Sequence, residues 1–189
     1  YNNMVGSVGG SRATVLECTA DGRLAVRQVY ITPDPAESLY ACVWMLDPIS
    51  NEPLLVTGGV CGVVRVINCT TSEQTCALLG HGGAINSLLV YSGDPRLVFS
   101  ASGDFSVRLW NIVTRECVVI FAGQEGHLDQ VLTIDMNADC TRLCSGSLDS
   151  TIKVWSLADH GVAEAISNSC READEEIADI LAHSSAVVT

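Results

Sequence analysis

The sequence predicts an all-β fold, a β-propeller of repeated four-stranded units followed by one acidic helix. Three observations support this prediction. A short alternating motif recurs at a nearly constant spacing, further short alternating segments lie between its copies, and Gly, Asp, Ser and Asn separate the segments. Repeats of about 45 residues that hold four short strands are typical of propeller blades, which bury their apolar faces against one another.

The recurring motif reads apolar, basic, apolar, large apolar, polar. Its three clear copies are Val64–Asn68 (VRVIN), Val107–Asn111 (VRLWN) and Ile152–Ser156 (IKVWS), which begin 43 and 45 residues apart. Alternation with a period of two residues indicates a β-strand. A weaker copy at 13–17 (ATVLE) predicts half a blade before the first complete one.

The other strands are predicted from segments on either side of this motif. First strands are expected at 39–46, 84–91 and 130–136, second strands at 54–57, 97–101 and 142–145, and fourth strands at 74–79 and 116–121. The prediction for residues 1–158 is therefore an incomplete propeller of about three to four blades, with half a blade, two complete blades and three strands of another.

Residues 159–189 are predicted to form an acidic amphipathic helical tail. Apolar residues recur there at intervals of three and four, which indicates one buried helical face. They are Val162, Ile166, Cys170, Ala173, Ile177 and Leu181. The opposite face is acidic and is expected to be solvated, with contact to a basic partner as the alternative. We expect the apolar stripe to cover part of the blade face that an open propeller exposes.

Composition excludes several classes of function. The chain has 10 basic and 22 acidic residues, a net charge of −12, which argues against direct binding to nucleic acid. No apolar run approaches the roughly 20 residues of a membrane span. The nine cysteines include no CxxC pair, so we expect reduced thiols, with no metal site and no cofactor.

Two sets of polar residues occupy matching positions in consecutive repeats. They are His81, Ser100, Asp104 and Trp110, and then His127, Ser145, Asp149 and Trp155. With the Gly that precedes each His, these sets resemble the buried structural tetrads of the WD40 family, in which Asp, His, Ser and Trp form a hydrogen-bonded relay. Residues 1–158 are accordingly interpreted as a partial WD40 propeller.

The blade before these two departs from the pattern. Thr57 keeps the hydroxyl, but Cys61 stands at the Asp position and Ile67 at the Trp position. We therefore expect that blade to be held by apolar packing alone. The His, Ser and Asp of a tetrad could also be the triad of a hydrolase. However, the set recurs in each repeat and the chain contains no GxSxG motif.

Six segments carry a closer resemblance. They are 39–44, 53–59, 65–68, 80–86, 107–112 and 125–127, and over about 8–169 the chain resembles the EED and Extra sex combs family of Polycomb WD40 proteins. The resemblance implies a seven-bladed propeller and a non-catalytic, nuclear subunit of Polycomb repressive complex 2. It also implies two partners, a SET-domain histone methyltransferase subunit and a histone tail carrying trimethyl-lysine.

The same resemblance implies two methyl-lysine-binding residues. Tyr40 matches an aromatic cage residue, and Asn86 matches an asparagine of the same pocket. Tyr40, Asn86 and Leu132 lie at equivalent positions of the predicted first strands, four residues before Trp44, Val90 and Met136 respectively. Without the resemblance, Tyr40 would be interpreted as a core aromatic. The alternative function is a generic WD40 protein-interaction adaptor that does not bind methyl-lysine.

Overall fold

The computed structural model describes residues 3–186, which form 14 strands in four antiparallel sheets and one helix. The first sheet holds β1 (Met4–Gly9), β2 (Arg12–Cys18) and β3 (Leu24–Ile31). The second holds β4 (Leu39–Leu46), β5 (Pro53–Gly59), β6 (Val64–Asn68) and β7 (Glu73–Leu78). The third holds β8 (Ile85–Val90), β9 (Leu97–Ser102), β10 (Val107–Asn111) and β11 (Cys117–Phe121). The fourth holds β12 (Val131–Met136), β13 (Arg142–Ser147) and β14 (Ile152–Ser156), and helix α1 (His160–Ala186) follows it.

The predicted fold class is confirmed. We call the four sheets blades 1 to 4, and within each sheet neighbours in sequence are neighbours in space. The three motif copies coincide with β6, β10 and β14. Blade 1 differs from the prediction, because it has three strands and not half a blade. Only β2 was predicted, from the weak motif copy at 13–17, and β1 and β3 were missed because no clear copy of the motif lies beside them.

The core lies between the blades. Each of its three clusters combines apolar side chains from the facing sides of two consecutive sheets. Val15 meets Leu55 between blades 1 and 2, Val66 meets Trp110 between blades 2 and 3, and Leu109 contributes with residues of blade 4 to the next cluster. A single blade could not bury both of its faces, so stacking stabilises the fold.

Helix α1 packs across one end of the sheets, at the turns that join β8 to β9 and β10 to β11. Val162, Ile166 and Cys170 pack against the cluster between blades 3 and 4, and Ala173 is fully buried. A second contact is polar: the Arg96 guanidinium bonds to both oxygens of Asp94 and, on the helix, to Asp174 and the carbonyl oxygen of Cys170. Asn111 also donates to the Ser169 hydroxyl at 2.8 Å.

This placement corrects the expectation that α1 covers the open blade face. The helix lies over the ends of the strands, and Ile152 and Val154 on β14 remain 76% and 60% exposed. The buried part of the stripe ends before Leu181, which is half exposed. Within residues 3–186, no helix has the length and apolar character that crossing a membrane requires.

Candidate functional site

The tetrad of blade 3 forms a continuous chain of hydrogen bonds. The Asp104 carboxylate accepts from Nδ1 of His81 at 2.8 Å, and Nε2 of His81 contacts the Ser100 hydroxyl at 2.6 Å. Trp110 donates its indole N–H to the same hydroxyl at 2.8 Å. A carboxylate carries no proton, so Nδ1 donates to it, and in the neutral imidazole Nε2 is then an acceptor. Ser100 therefore donates to His81 and accepts from Trp110.

The tetrad of blade 4 repeats this geometry. Asp149 lies 2.9 Å from Nδ1 of His127, and Ser145 lies 2.8 Å from both Nε2 of His127 and the Trp155 indole nitrogen. The tetrads join the turn between the second and third strands to the segment that leads into the first strand. Each relay thus joins two connecting segments at the same end of one blade.

The aspartates of both tetrads also fix the turn that carries them. Asp104 accepts from the backbone N–H and the hydroxyl of Ser106, across Phe105, which has a left-handed φ of 71°. Asp149 accepts in the same way from Thr151, across Ser150 with φ 66°. These bonds hold non-glycine residues in a backbone conformation that costs about 1 kcal/mol or more.

The turn between the second and third strands of blade 2 also contains a residue with a left-handed φ, but no aspartate at the tetrad position stabilises it. Cys61 stands at the Asp position and supplies no carboxylate, and the next residue is Gly62 with φ 69°. Glycine adopts this conformation without a Cβ penalty. Blade 2 therefore has glycine at the left-handed position of the turn in which the aspartate is absent, and this turn does not need the aspartate's hydrogen bonds.

The pKa values of both tetrad aspartates are lowered. Burial opposes ionisation of Asp104, but hydrogen bonds from His81, Ser106 and the Gly82 N–H outweigh it, so its pKa lies below the ordinary range. For Asp149 the bond from the Thr151 hydroxyl is the main cause of its lowered pKa. Both groups are ionised at neutral pH, as the relay requires.

Burial argues against the hydrolase alternative. The tetrad serines Ser100 and Ser145 are 0% and 1% exposed, and each hydroxyl is held between an imidazole and an indole. A nucleophile must reach its substrate, and these hydroxyls face the interior between two blades. The geometry favours a structural role for both sets.

Blade 2 contains a buried ion pair, so the expectation that apolar packing alone holds it is wrong. Arg65 donates to Glu37 at 2.8 Å, and their side chains are 10% and 0% exposed. The other Glu37 oxygen accepts the Cys61 backbone N–H at 3.1 Å. Glu37 thus joins the segment before β4 to the turn after β5, as His and Asp do together in blades 3 and 4.

One member of this ion pair was visible in the sequence. Arg65 is the basic residue of the recurring motif, and a basic residue in a buried strand needs a partner. Glu37 could not be identified, because the Gly-His pair that precedes the first strand of blades 3 and 4 is absent before β4. Thr57 keeps the position of the tetrad serine and is fully buried, but among the described residues its hydroxyl has no hydrogen-bond partner.

The predicted methyl-lysine residues occupy one equivalent position on adjacent strands. The backbone pairing of β4, β8 and β12 shifts at Tyr40, Asn86 and Leu132 respectively. These innermost strands pack side by side, β4 against β8 and β8 against β12. Each bulge turns a side chain away from the regular pleat, and the three bulges occupy the same position along these innermost strands.

The three side chains differ in what they offer at this level. Tyr40 is 54% exposed, which argues against its interpretation as a core aromatic. Asn86 donates its amide N–H to the Val131 carbonyl oxygen at 2.8 Å and so bridges blades 3 and 4. Leu132 is 43% exposed and presents an apolar surface. The position thus carries one accessible ring beside one fixed amide.

We next considered whether the described part of the chain contains a metal site or a reactive thiol. No group of three His, Cys, Asp or Glu residues within it could hold a metal ion. All nine cysteines are free thiols. Burial raises the pKa of Cys170 to about 11, with the neighbouring Asp94 as a second cause, so this thiol is protonated at neutral pH.

Comparison with known proteins agrees with the repeat structure. Residues 72–111 and 115–156 match the family model "WD domain, G-beta repeat". The chain is 41% identical over 158 residues to Polycomb group protein FIE2 of Zea mays, covering 83% of this chain and 42% of that protein. It is 40% identical over 151 residues to Polycomb protein esc of Drosophila melanogaster, covering 80% and 36%.

A solved structure supports the same relationship. The chain is similar to one in a crystal structure of the Chaetomium thermophilum polycomb repressive complex 2, with a TM-score of 0.76 and 27% identity. The match covers 82% of this chain and 34% of that one. The chain spans less than half the length of the curated relatives described above. It belongs to the WD40 repeat family and is, over most of its length, a relative of the EED-type Polycomb proteins esc and FIE.

Proposed function

We propose that this chain is a non-catalytic WD40 scaffold of a Polycomb repressive complex in the nucleus. In this proposal it contributes to binding a histone tail with trimethyl-lysine and a SET-domain methyltransferase subunit. The observation that carries the proposal is the exposed Tyr40 at an inner-strand bulge, beside Asn86 at the equivalent bulge of the next blade. The similarity to a chain of polycomb repressive complex 2 supports the assignment to such a complex.

The chemistry of this position suits a quaternary ammonium. The face of the Tyr40 ring attracts a cation that has lost its N–H donors, because the attraction depends on the ring quadrupole and not on hydrogen bonds. Asn86 cannot turn freely toward a ligand, since its amide is bonded to Val131. Its role in the proposal is to shape the wall beside the ring.

One ring is too little for measurable binding. A cation–π contact contributes about 0.5–2 kcal/mol, whereas millimolar binding requires about 4 kcal/mol. We therefore expect the 189-residue chain alone to bind a trimethyl-lysine peptide too weakly to detect. Micromolar binding by this chain would place the site elsewhere.

A chimera gives the positive test. Residues 8–169 replace the corresponding segment of Drosophila melanogaster esc, so that the remaining blades come from the relative. We expect this chimera to retain a histone H3 peptide with trimethyl-lysine and not the unmodified peptide. Tyr40→Ala should abolish retention, whereas Leu132→Ala, at the equivalent bulge of blade 4, should preserve most of it. Normal retention by a folded Tyr40→Ala chimera would favour the alternative, an adaptor without methyl-lysine binding.

A further inference from the structure

A cavity of about 470 Å³ lies between blades 1 and 2, in the range typical of ligand sites. It opens between the outer edges of the two sheets, where β3 and β7 are the last strands. Its lining is mainly apolar, and its polar groups are one guanidinium, one amide and three hydroxyls. The residues that matter for the argument are Ala13, Ile31, Leu39, Arg65, Ile67 and Gln74.

This cavity is the position that a tryptophan fills in the next blade. Trp110 of blade 3 is 2% exposed and belongs to one buried cluster with Val64, Leu78 and Ile85. Strand pairing shows the equivalences: Val64 pairs with Leu78 as Ala13 pairs with Tyr30. At the Trp110 position, blade 2 has the smaller Ile67, and opposite it Ala13 replaces valine. Both changes leave space between blades 1 and 2, although Tyr30, which stands at the position of Leu78, is larger and lines part of it.

The arginine that lies beside the tryptophan ring in blade 3 has an equivalent beside the cavity in blade 2. The Arg108 guanidinium lies 5.8 Å from the centre of the Trp110 ring. Arg65 is its equivalent in blade 2 and borders the cavity. Glu37 accepts from one Arg65 nitrogen at 2.8 Å and balances its charge. A neutral aromatic ring therefore suits this site better than an anion, because it gains cation–π attraction without adding a second negative charge.

The surroundings of the opening suit an extended peptide. As edge strands, β3 and β7 carry backbone N–H and C=O groups that no neighbouring strand pairs within the described residues. Val29 and Ile31 of β3 are 47% and 65% exposed at the rim. A peptide strand added to such an edge gains backbone bonds and places alternate side chains in pockets.

We propose that the cavity between blades 1 and 2 binds a tryptophan-like side chain of an extended peptide segment from a partner protein. The ring occupies the place that Trp110 and Trp155 fill in blades 3 and 4, beside Arg65. This site is distinct from the inner-strand position of Tyr40, and its test does not depend on methyl-lysine binding.

The test uses the 189-residue chain and the peptide acetyl-Val-Thr-Trp-Thr-Val-amide, labelled as 5-fluorotryptophan. Broadening of the peptide's fluorine NMR signal reports binding without interference from the protein's own tryptophans. We expect saturable broadening. Unlabelled peptide should reverse it, whereas the peptide with Ala in place of Trp should not.

Two variants fill the cavity from opposite sides. Ile67→Trp restores the residue of the next blade, and Ala13→Leu enlarges the facing wall. Each should weaken binding at least tenfold, and circular dichroism checks that each remains folded. Ile120→Trp, on the exposed side of β11, is the matched control and should bind as the unchanged chain does.

Several results would overturn the proposal. They are absence of broadening, equal binding by a folded Ile67→Trp or Ala13→Leu variant, or equal displacement by the alanine peptide. Binding of free indole without binding of the peptide would show a small-molecule site, and the peptide assignment would be wrong.

Discussion

Replacing Asp104 by asparagine tests whether the tetrad holds its blade together. One Asp104 oxygen accepts from Nδ1 of His81 at 2.8 Å and from the Gly82 N–H at 3.0 Å, and the other accepts twice from Ser106. Asparagine has a single oxygen, so its NH₂ group faces two donors at one of these sites. The side chain keeps its size, and the perturbation is therefore confined to charge and hydrogen bonding.

The structure sets the expected magnitude. The His81 side chain is fully buried, so water cannot replace the lost acceptor. A shift of its proton to Nε2 gives no relief, because the Ser100 hydroxyl already accepts from Trp110 and would lose its own acceptor. One unsatisfied buried donor costs about 1–3 kcal/mol. For a chain of this size, that lowers the melting temperature by about 2–12 °C.

Urea unfolding followed by circular dichroism measures the change, with equal m-values as the check that only stability has moved. The matched control is Cys61→Ala, at the equivalent position of blade 2, where no histidine depends on the side chain. We expect a clearly smaller shift for the control. Equal shifts for the two variants would refute the reasoning that the relay distinguishes these blades.

The remaining predictions concern the ion pair, acid stability and the helix. Glu37→Ala should destabilise the fold by about 3–5 kcal/mol in urea unfolding, because it leaves Arg65 buried without a partner; replacing both residues by methionine should cost less, and the reverse order would contradict a desolvation effect. The lowered pKa values of Asp104 and Asp149 predict stability that is complete above about pH 4, their ordinary pKa, and that is lost as the pH falls further. Unfolding free energies between pH 5 and pH 2 check this, and the slope should be shallower in Asp104→Asn. Deleting residues 159–189 should cause aggregation, because α1 covers apolar side chains between blades 3 and 4; a monodisperse 1–158 chain in light scattering would count against that role.

The cavity between blades 1 and 2 follows from the same departure that removed the tetrad. A tryptophan in this fold serves both as a hydrogen-bond donor to the serine and as the side chain that fills the space between blades. With Ile67 at that position, the Thr57 hydroxyl lacks its donor and the space is left open. The absence of the tetrad tryptophan thus contributes both to the unpartnered Thr57 hydroxyl and to the open space between the blades.

The sequence by itself determined the features that repeat. Strands β6, β10 and β14 and both tetrads were predictable, because their residues lie within one blade at fixed offsets, and the period of two identifies each strand. Their hydrogen-bond partners were implied by the resemblance to the WD40 family. Strands β1 and β3 escaped prediction because blade 1 holds only a weak copy of the motif, so no clear repeat identifies the segments beside it.

Only the tertiary structure decided the features that depend on how two units meet. Glu37 and Arg65 are 28 residues apart in the sequence, and Arg96 and Asp174 are 78 apart. No motif links the two members of either pair. The stripe on α1 predicted a buried face but not its partner, because apolar burial is non-directional and any exposed apolar surface could have satisfied it. The placement over the turns is fixed by the polar contacts of Arg96 and Asn111, which are directional. Ile67 at the Trp position was visible in the sequence. That the space between blades 1 and 2 stays open there depends on how the two sheets meet, which only the tertiary structure shows.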